Sequence, residues 1–151
     1  MPGAVTGGED SNVIVILVRD VMTRRLVTIA PETSCDEARR LMDEHGIRHL
    51  PVVASGRLVG MVSDRDVRSA GAWDMVAGQI MTPEPVTVTP ETRVEHAARL
   101  MLDARFGSLP VTDVGHTLIG IVTYTDLLRA FVQVIETVTL ERIAVDFSEA
   151  T

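Results

Sequence analysis

Apolar residues in this chain fall in short clusters whose spacing alternates between two periods. Leu58 to Val62 is a near-continuous apolar run holding Gly60, with the length of a buried strand. It passes straight into the polar stretch Ser63-Asp64-Arg65-Asp66. Upstream, Cys35, Ala38, Leu41 and Met42 recur at helical spacing. They predict a helix that starts at a Thr33–Asp36 capping pair, runs to about His45 and closes on Gly46. Leu26 to Ile29 reads as a short strand ended by Pro31. Ile47 to Val53 reads as another, with Pro51 near its start, where a missing ladder donor is tolerated. Ser55-Gly56-Arg57 predicts a hairpin turn that brings Leu58 to Val62 back antiparallel. A second helix is expected from Asp64 to about Ala70. The order strand, helix, strand, strand, helix places the chain in the mixed α/β (α+β) class.

The same order then recurs. Met81-Thr82 answers Met22-Thr23, and Thr87 answers Thr28. The differences Pro90 minus Pro31, Met101 minus Met42 and Pro110 minus Pro51 are all 59, and Thr92 with Glu95 repeats the capping pair. Gly115 answers Gly56, and one residue is then gained in the hairpin, since Asp126 minus Asp66 is 60. A fixed offset of this kind marks an internal repeat. The organisation expected is a flexible N-terminus at 1–12, a first repeat at 13–70 and a connector at 71–78. A second repeat follows at 79–130, and 131–151 continues the C-terminal helix into a tail. Trp73, in the connector, is expected to plug the space between the halves. From Thr123 the apolar residues Leu127, Leu128, Phe131, Val132, Ile135 and Val138 predict a long helix with a broad apolar face, which points to self-association.

The junction Gly60-Met61-Val62-Ser63-Asp64-Arg65-Asp66 and its second copy, Gly120-Ile121-Val122-Thr123-Tyr124-Thr125-Asp126, carry the candidate chemistry. A strand that runs directly into a helix directs free N–H groups and a positive dipole end at one spot, which suits phosphate. The Ser63 or Thr123 hydroxyl adds a donor. The Asp66 or Asp126 carboxylate offers several acceptor sites to the vicinal hydroxyls of a ribose. The same spacing is also a capping box, which needs no ligand.

The totals narrow the field. The chain has 151 residues, 46% of them hydrophobic, which is enough for a globular core. The net charge of −7 and the 3% aromatic content oppose general nucleic-acid binding. Cys35 is the single cysteine, so no internal disulfide forms, and it and the four histidines lack metal-ligand spacing. The apolar run Val13 to Val18 is too short for a membrane span or a signal core, so a cytoplasmic protein off the membrane is expected. No hydroxyl or thiol has a base and an orienting acid at a recognisable spacing, so the chain is not expected to be an enzyme.

These motifs, in this order and twice over, resemble the cystathionine-beta-synthase (CBS) domain, usually found as a tandem pair called a Bateman module. The quoted features are Val21-Met22-Thr23, Val27-Thr28-Ile29-Ala30-Pro31, the stretch Gly46 to Val53 and the first junction, matched by Ile80-Met81-Thr82, Val86 to Pro90, Phe106 to Val111 and the second. The resemblance implies two repeats packed as a pseudo-twofold pair with a cleft on each side. Such clefts often hold AMP, ADP, ATP or S-adenosylmethionine, as a regulatory ligand rather than a required cofactor. One site is expected to comprise Thr28, Arg48, His49, Pro51, Val52, Ser63, Arg65 and Asp66. The other comprises Thr87, Pro110, Val111, Thr123, Thr125 and Asp126. Arg48, His49, Arg65 and Arg68 cluster in the first repeat, so the cleft around Ser63 and Asp66 is expected to carry more phosphate charge, although Arg48 is also within reach of the other cleft. A homodimer is implied, along with an unidentified regulated protein. The competing readings are a structural oligomerisation module with empty clefts and, opposed by charge, a nucleic-acid-binding pair.

Overall fold

The computed structural model describes residues 14–70 and 74–149, with side-chain environments for 14–69 and 74–141. The expected plug Trp73 and the expected flexible start at 1–12 lie outside the described residues. In chain order the elements are α1 (Val18–Val21), α2 (Cys35–His45), β1 (His49–Ala54), β2 (Arg57–Ser63), α3 (Asp64–Ala70), α4 (Ala77–Ile80), β3 (Thr82–Pro83), α5 (Val94–Ala104), β4 (Ser108–Thr112), β5 (Leu118–Thr123) and α6 (Tyr124–Glu149).

Each repeat is built on an antiparallel hairpin. Leu50 pairs with Val62 and Pro51 with Met61 in the first; Leu109 pairs with Val122 and Pro110 with Ile121 in the second. The predicted lead strands shrink to single parallel bridges, Ile29 to Val52 and Val88 to Val111. Pro31 and Pro90 follow too closely for a longer ladder to form.

The lead-in of each repeat packs on the other repeat. The Val18 N–H donates to the Thr92 carbonyl at 2.8 Å, and the Ala77 N–H donates to the Thr33 carbonyl at 2.7 Å. Val18 and Met22 belong to the core of the second repeat, with Met101, Leu109 and Val122. Ala77 belongs to the core of the first, with Met42, Leu50 and Val62. Thr23 bridges to Ile121, and β3 pairs with β2 through Met61 and Thr82. This reciprocal exchange makes the two repeats one pseudo-symmetric body. It also gives the junction glycines their reason. A Cβ at Gly60 would overlap the Met81 sulfur, and one at Gly120 would lie 2.8 Å from the Met22 sulfur.

Local details correct the expected caps. The N-cap of α2 is Ser34, whose hydroxyl accepts from the Glu37 N–H at 3.1 Å. Thr33 instead closes the preceding turn by accepting from the Ala30 N–H at 3.0 Å. In the second repeat Arg93 takes the N-cap position without a side-chain bond, and Thr92 closes the turn at Thr89. A threonine two residues after a proline serves that turn before it can serve the helix. Gly46 is left-handed at φ +63°, as expected. In the second hairpin His116, not Gly115, takes positive φ, because the Asp113 carboxylate binds the Gly115 and Thr117 N–H groups and sets the loop. Cys35 is buried in the first core, and burial together with Asp36 raises its thiol pKa.

Candidate functional site

The exchange of lead-ins leaves a cleft between the repeats beside each strand–helix junction. The larger encloses about 640 Å³, inside the range of small-molecule sites, and the smaller about 200 Å³, below it.

The large cavity is built around the β5–α6 junction. Asp126 is buried. Its Oδ2 accepts from the Thr123 N–H at 2.9 Å and from the Thr123 hydroxyl at 3.1 Å. Its Oδ1 accepts from the Thr23 hydroxyl at 3.2 Å. Arg129 stands 3.8 Å from the same oxygen. The carboxylate is therefore held by three donors, two of them on Oδ2 and one on Oδ1. Arg25, Arg48 and Arg129 line this cavity, with His49, Pro51, Thr125 and Tyr124. Leu26, Val27 and Ile121 supply an apolar wall. Apolar walls, fixed hydroxyl and carboxylate groups and guanidinium forks together suit a flat heterocycle carrying a diol and phosphate.

The small cavity is built around the β2–α3 junction. The Ser63 N–H donates to Asp66 Oδ2 at 2.8 Å, and the Asp66 N–H donates back to the Ser63 hydroxyl at 3.1 Å. This is the capping box in full, and it leaves Asp66 Oδ1 outside the capping bonds. Arg65, Arg105, Thr82, Val86, Ser108 and Pro110 complete the lining. Thr82 is the counterpart of Thr23, but it makes no bond to Asp66 here.

Three parts of the expected sites are redistributed. First, the proline strands cross over. Pro51 and Arg48 face Thr123 and Asp126, whereas Pro110 faces Ser63 and Asp66. The pseudo-twofold places each strand exit beside the other repeat's junction. Second, Val52 and Val111 line neither cavity and are fully buried in the two cores. Successive strand residues face opposite ways, so a neighbour of a cleft proline must turn inward. Third, the same alternation puts Val27 and Val86 on the clefts in place of Thr28 and Thr87. Thr28 is exposed, and Thr87 lines a separate cavity with Arg57 and His116. The expected charge bias is also reversed: three arginines line the large cavity and two the small one. Arg68 is tied to Asp64 at 2.9 Å and reaches neither.

His49 lines both cavities. Gly107 presses against its ring, since a Cβ there would lie 2.9 Å from Nε2. Burial pulls the imidazole pKa below its ordinary value; Asp66 and Asp64 oppose this and Arg48 adds to it. Among the described residues, no group of three or more His, Cys, Asp and Glu could hold a metal ion, and no helix is long and apolar enough to cross a membrane.

The family model for the CBS domain matches residues 18–72 and again 77–133. Inosine-5'-monophosphate dehydrogenase from Korarchaeum cryptofilum is 42% identical over 111 residues, which cover 74% of this chain but 22% of that enzyme. The crystal structure of CBSX2 in complex with AMP aligns with a TM-score of 0.72 at 38% identity, covering 78% of this chain and 97% of that one. The CBS domain pair of protein MJ0100, solved with 5'-methylthioadenosine and S-adenosyl-L-methionine, aligns with a TM-score of 0.74 at 32% identity, covering 78% and 96%.

Proposed function

The chain belongs to the CBS-domain family, and from that premise we propose that it is a regulatory, non-catalytic module that binds an adenine nucleotide in the large cleft. The observation that carries this reading is the 640 Å³ cavity in which the buried Asp126, fixed by Thr23 and Thr123, faces Arg48 across the repeat boundary. Val27, Leu26 and Pro51 would enclose the adenine, Asp126 the ribose, and Thr125, Arg48 and Arg129 the phosphate. Two solved relatives that hold AMP or S-adenosylmethionine support an adenosyl ligand. The phosphate-facing arginines favour AMP, ADP or ATP over a ligand without phosphate. Binding would act by favouring one packing of the two repeats over another, which requires unequal affinity for the two states.

Calorimetric titration with AMP, ADP, ATP and S-adenosylmethionine tests the proposal. Saturable binding of a phosphate-bearing nucleotide, weakened by Arg48→Ala, is expected. No heat and no thermal shift with any of the four at millimolar concentration overturns it.

A second reading, an assembly module with empty clefts, is favoured by one observation. Leu128, Phe131 and Val132 on α6 are more than half exposed. It predicts a stable oligomer whose size and melting temperature ignore nucleotide.

A further inference from the structure

A further cavity lies outside both clefts. It encloses about 350 Å³, within the range of small-molecule sites. The two hairpins bring Arg57 and His116 to it, the segment after β3 brings Glu84 and Thr87, and the end of β4 brings Thr112. Pro85 lines both this cavity and the small cleft, so residues 84–87 form the wall between them. Thr112 is only 4% exposed. Its N–H donates to the Val88 carbonyl at 3.0 Å, but its hydroxyl makes no hydrogen bond among the described residues. No polar side-chain atom of the described residues is sealed off without a partner, so this hydroxyl opens onto the cavity. Arg57 and Glu84 carry opposite charges on the same walls, yet among the described residues neither forms an ion pair.

The duplicated fold does not by itself require these groups. The offset of 59 residues places Arg25 where Glu84 stands and Val53 where Thr112 stands. Val53 and Thr112 make the same backbone bond, to the carbonyls of Ile29 and Val88. The equivalent place in the first repeat therefore has neither the carboxylate nor the buried hydroxyl. Valine fills this strand position with no polar group to satisfy, so an unpartnered threonine there finds its hydrogen bond only outside the chain. We propose that this cavity is a separate ligand site for a small zwitterion of the α-amino acid class. Arg57 takes its carboxylate, Glu84 its ammonium, and the Thr87 and Thr112 hydroxyls bond between them. The guanidinium fork matches a carboxylate, and an ammonium supplies donors that a carboxylate accepts. A simple anion such as phosphate would meet Glu84 as a like charge, and a simple cation would meet Arg57. A ligand carrying both charges close together satisfies both walls.

The site is independent of nucleotide binding. A thermal-shift screen of the full chain against each standard amino acid at millimolar concentration should find at least one that stabilises it, and calorimetry should then give a saturable isotherm. Inorganic phosphate and methylamine, which carry one kind of charge each, should not compete with that amino acid. Arg57→Ala and Glu84→Gln should each weaken it by roughly tenfold or more, as the loss of a hydrogen bond to a charged group does. Both residues are exposed, so both variants should keep the native circular dichroism spectrum and the AMP affinity of the parent. Thr112→Val should also weaken the amino acid while leaving the melting temperature of the unligated chain at or above that of the parent, which a hydroxyl needed for the fold would not allow. No stabilisation by any amino acid overturns the proposal. Competition by phosphate, or full affinity in Arg57→Ala or Glu84→Gln, overturns the zwitterion.

Discussion

The Thr23 hydroxyl donates to Asp126 at 3.2 Å across 103 residues of sequence. The two residues belong to different repeats, and the bond fixes the carboxylate of the large cleft. Met22 fills the space over Gly120 beside it, so the lead-in segment both completes the second core and positions the site.

Thr23→Val removes this bond but keeps the shape of the side chain. A loss of about 1 kcal/mol in urea unfolding is expected, with weaker nucleotide affinity because Asp126 is no longer held from that side. Unchanged values for both would show that the bond contributes neither to the fold nor to the site.

Arg48→Ala should lower affinity for AMP by roughly tenfold or more, since hydrogen bonds to charged groups contribute about 1.5–3 kcal/mol. Arg65→Ala, which acts on the small cleft, should leave that affinity within about twofold, an order-of-magnitude bound for a group beyond contact. Calorimetry of both variants decides between the clefts. The opposite ranking would place the phosphate beside Ser63 and Asp66.

Gly60→Ala should destabilise by about 1–3 kcal/mol, the usual cost of overpacking a filled core. The clash is with the Met81 side chain alone, so adding Met81→Ala should recover part of the loss. A double-mutant cycle in urea would show that coupling; strict additivity would mean that the two residues do not meet.

His49 predicts a pH dependence. Burial holds its folded-state pKa below the ordinary 6.5, so the unfolded chain binds the extra proton first. The stabilisation from neutral His49 is present above about pH 6.5 and is lost as pH falls towards the lowered folded value. Melting temperature should therefore drop from pH 7.5 to 5, and His49→Gln should flatten the part of that slope due to this residue. An identical slope in the variant would assign the effect to other groups.

By itself the sequence determined the repeat, its hairpins, its longer helices and the two junctions. A strand period running into a helix period, offset by about 59 residues, is a local pattern and survives without any long-range contact. The hairpins, the Gly46 cap, the buried Cys35 and the pairing of Ser63 with Asp66 were all legible this way. Tertiary structure decided how the pieces combine. The lead-ins cross between repeats, so Thr23 meets Asp126 and Pro51 faces the junction of the other repeat. Strand alternation turns Val52 and Val111 into the cores and brings Val27 and Val86 to the clefts, and the register that fixes this is set by packing across the pair. A site shared between two repeats is written in neither of them alone, because its geometry arises only when their buried faces close on each other.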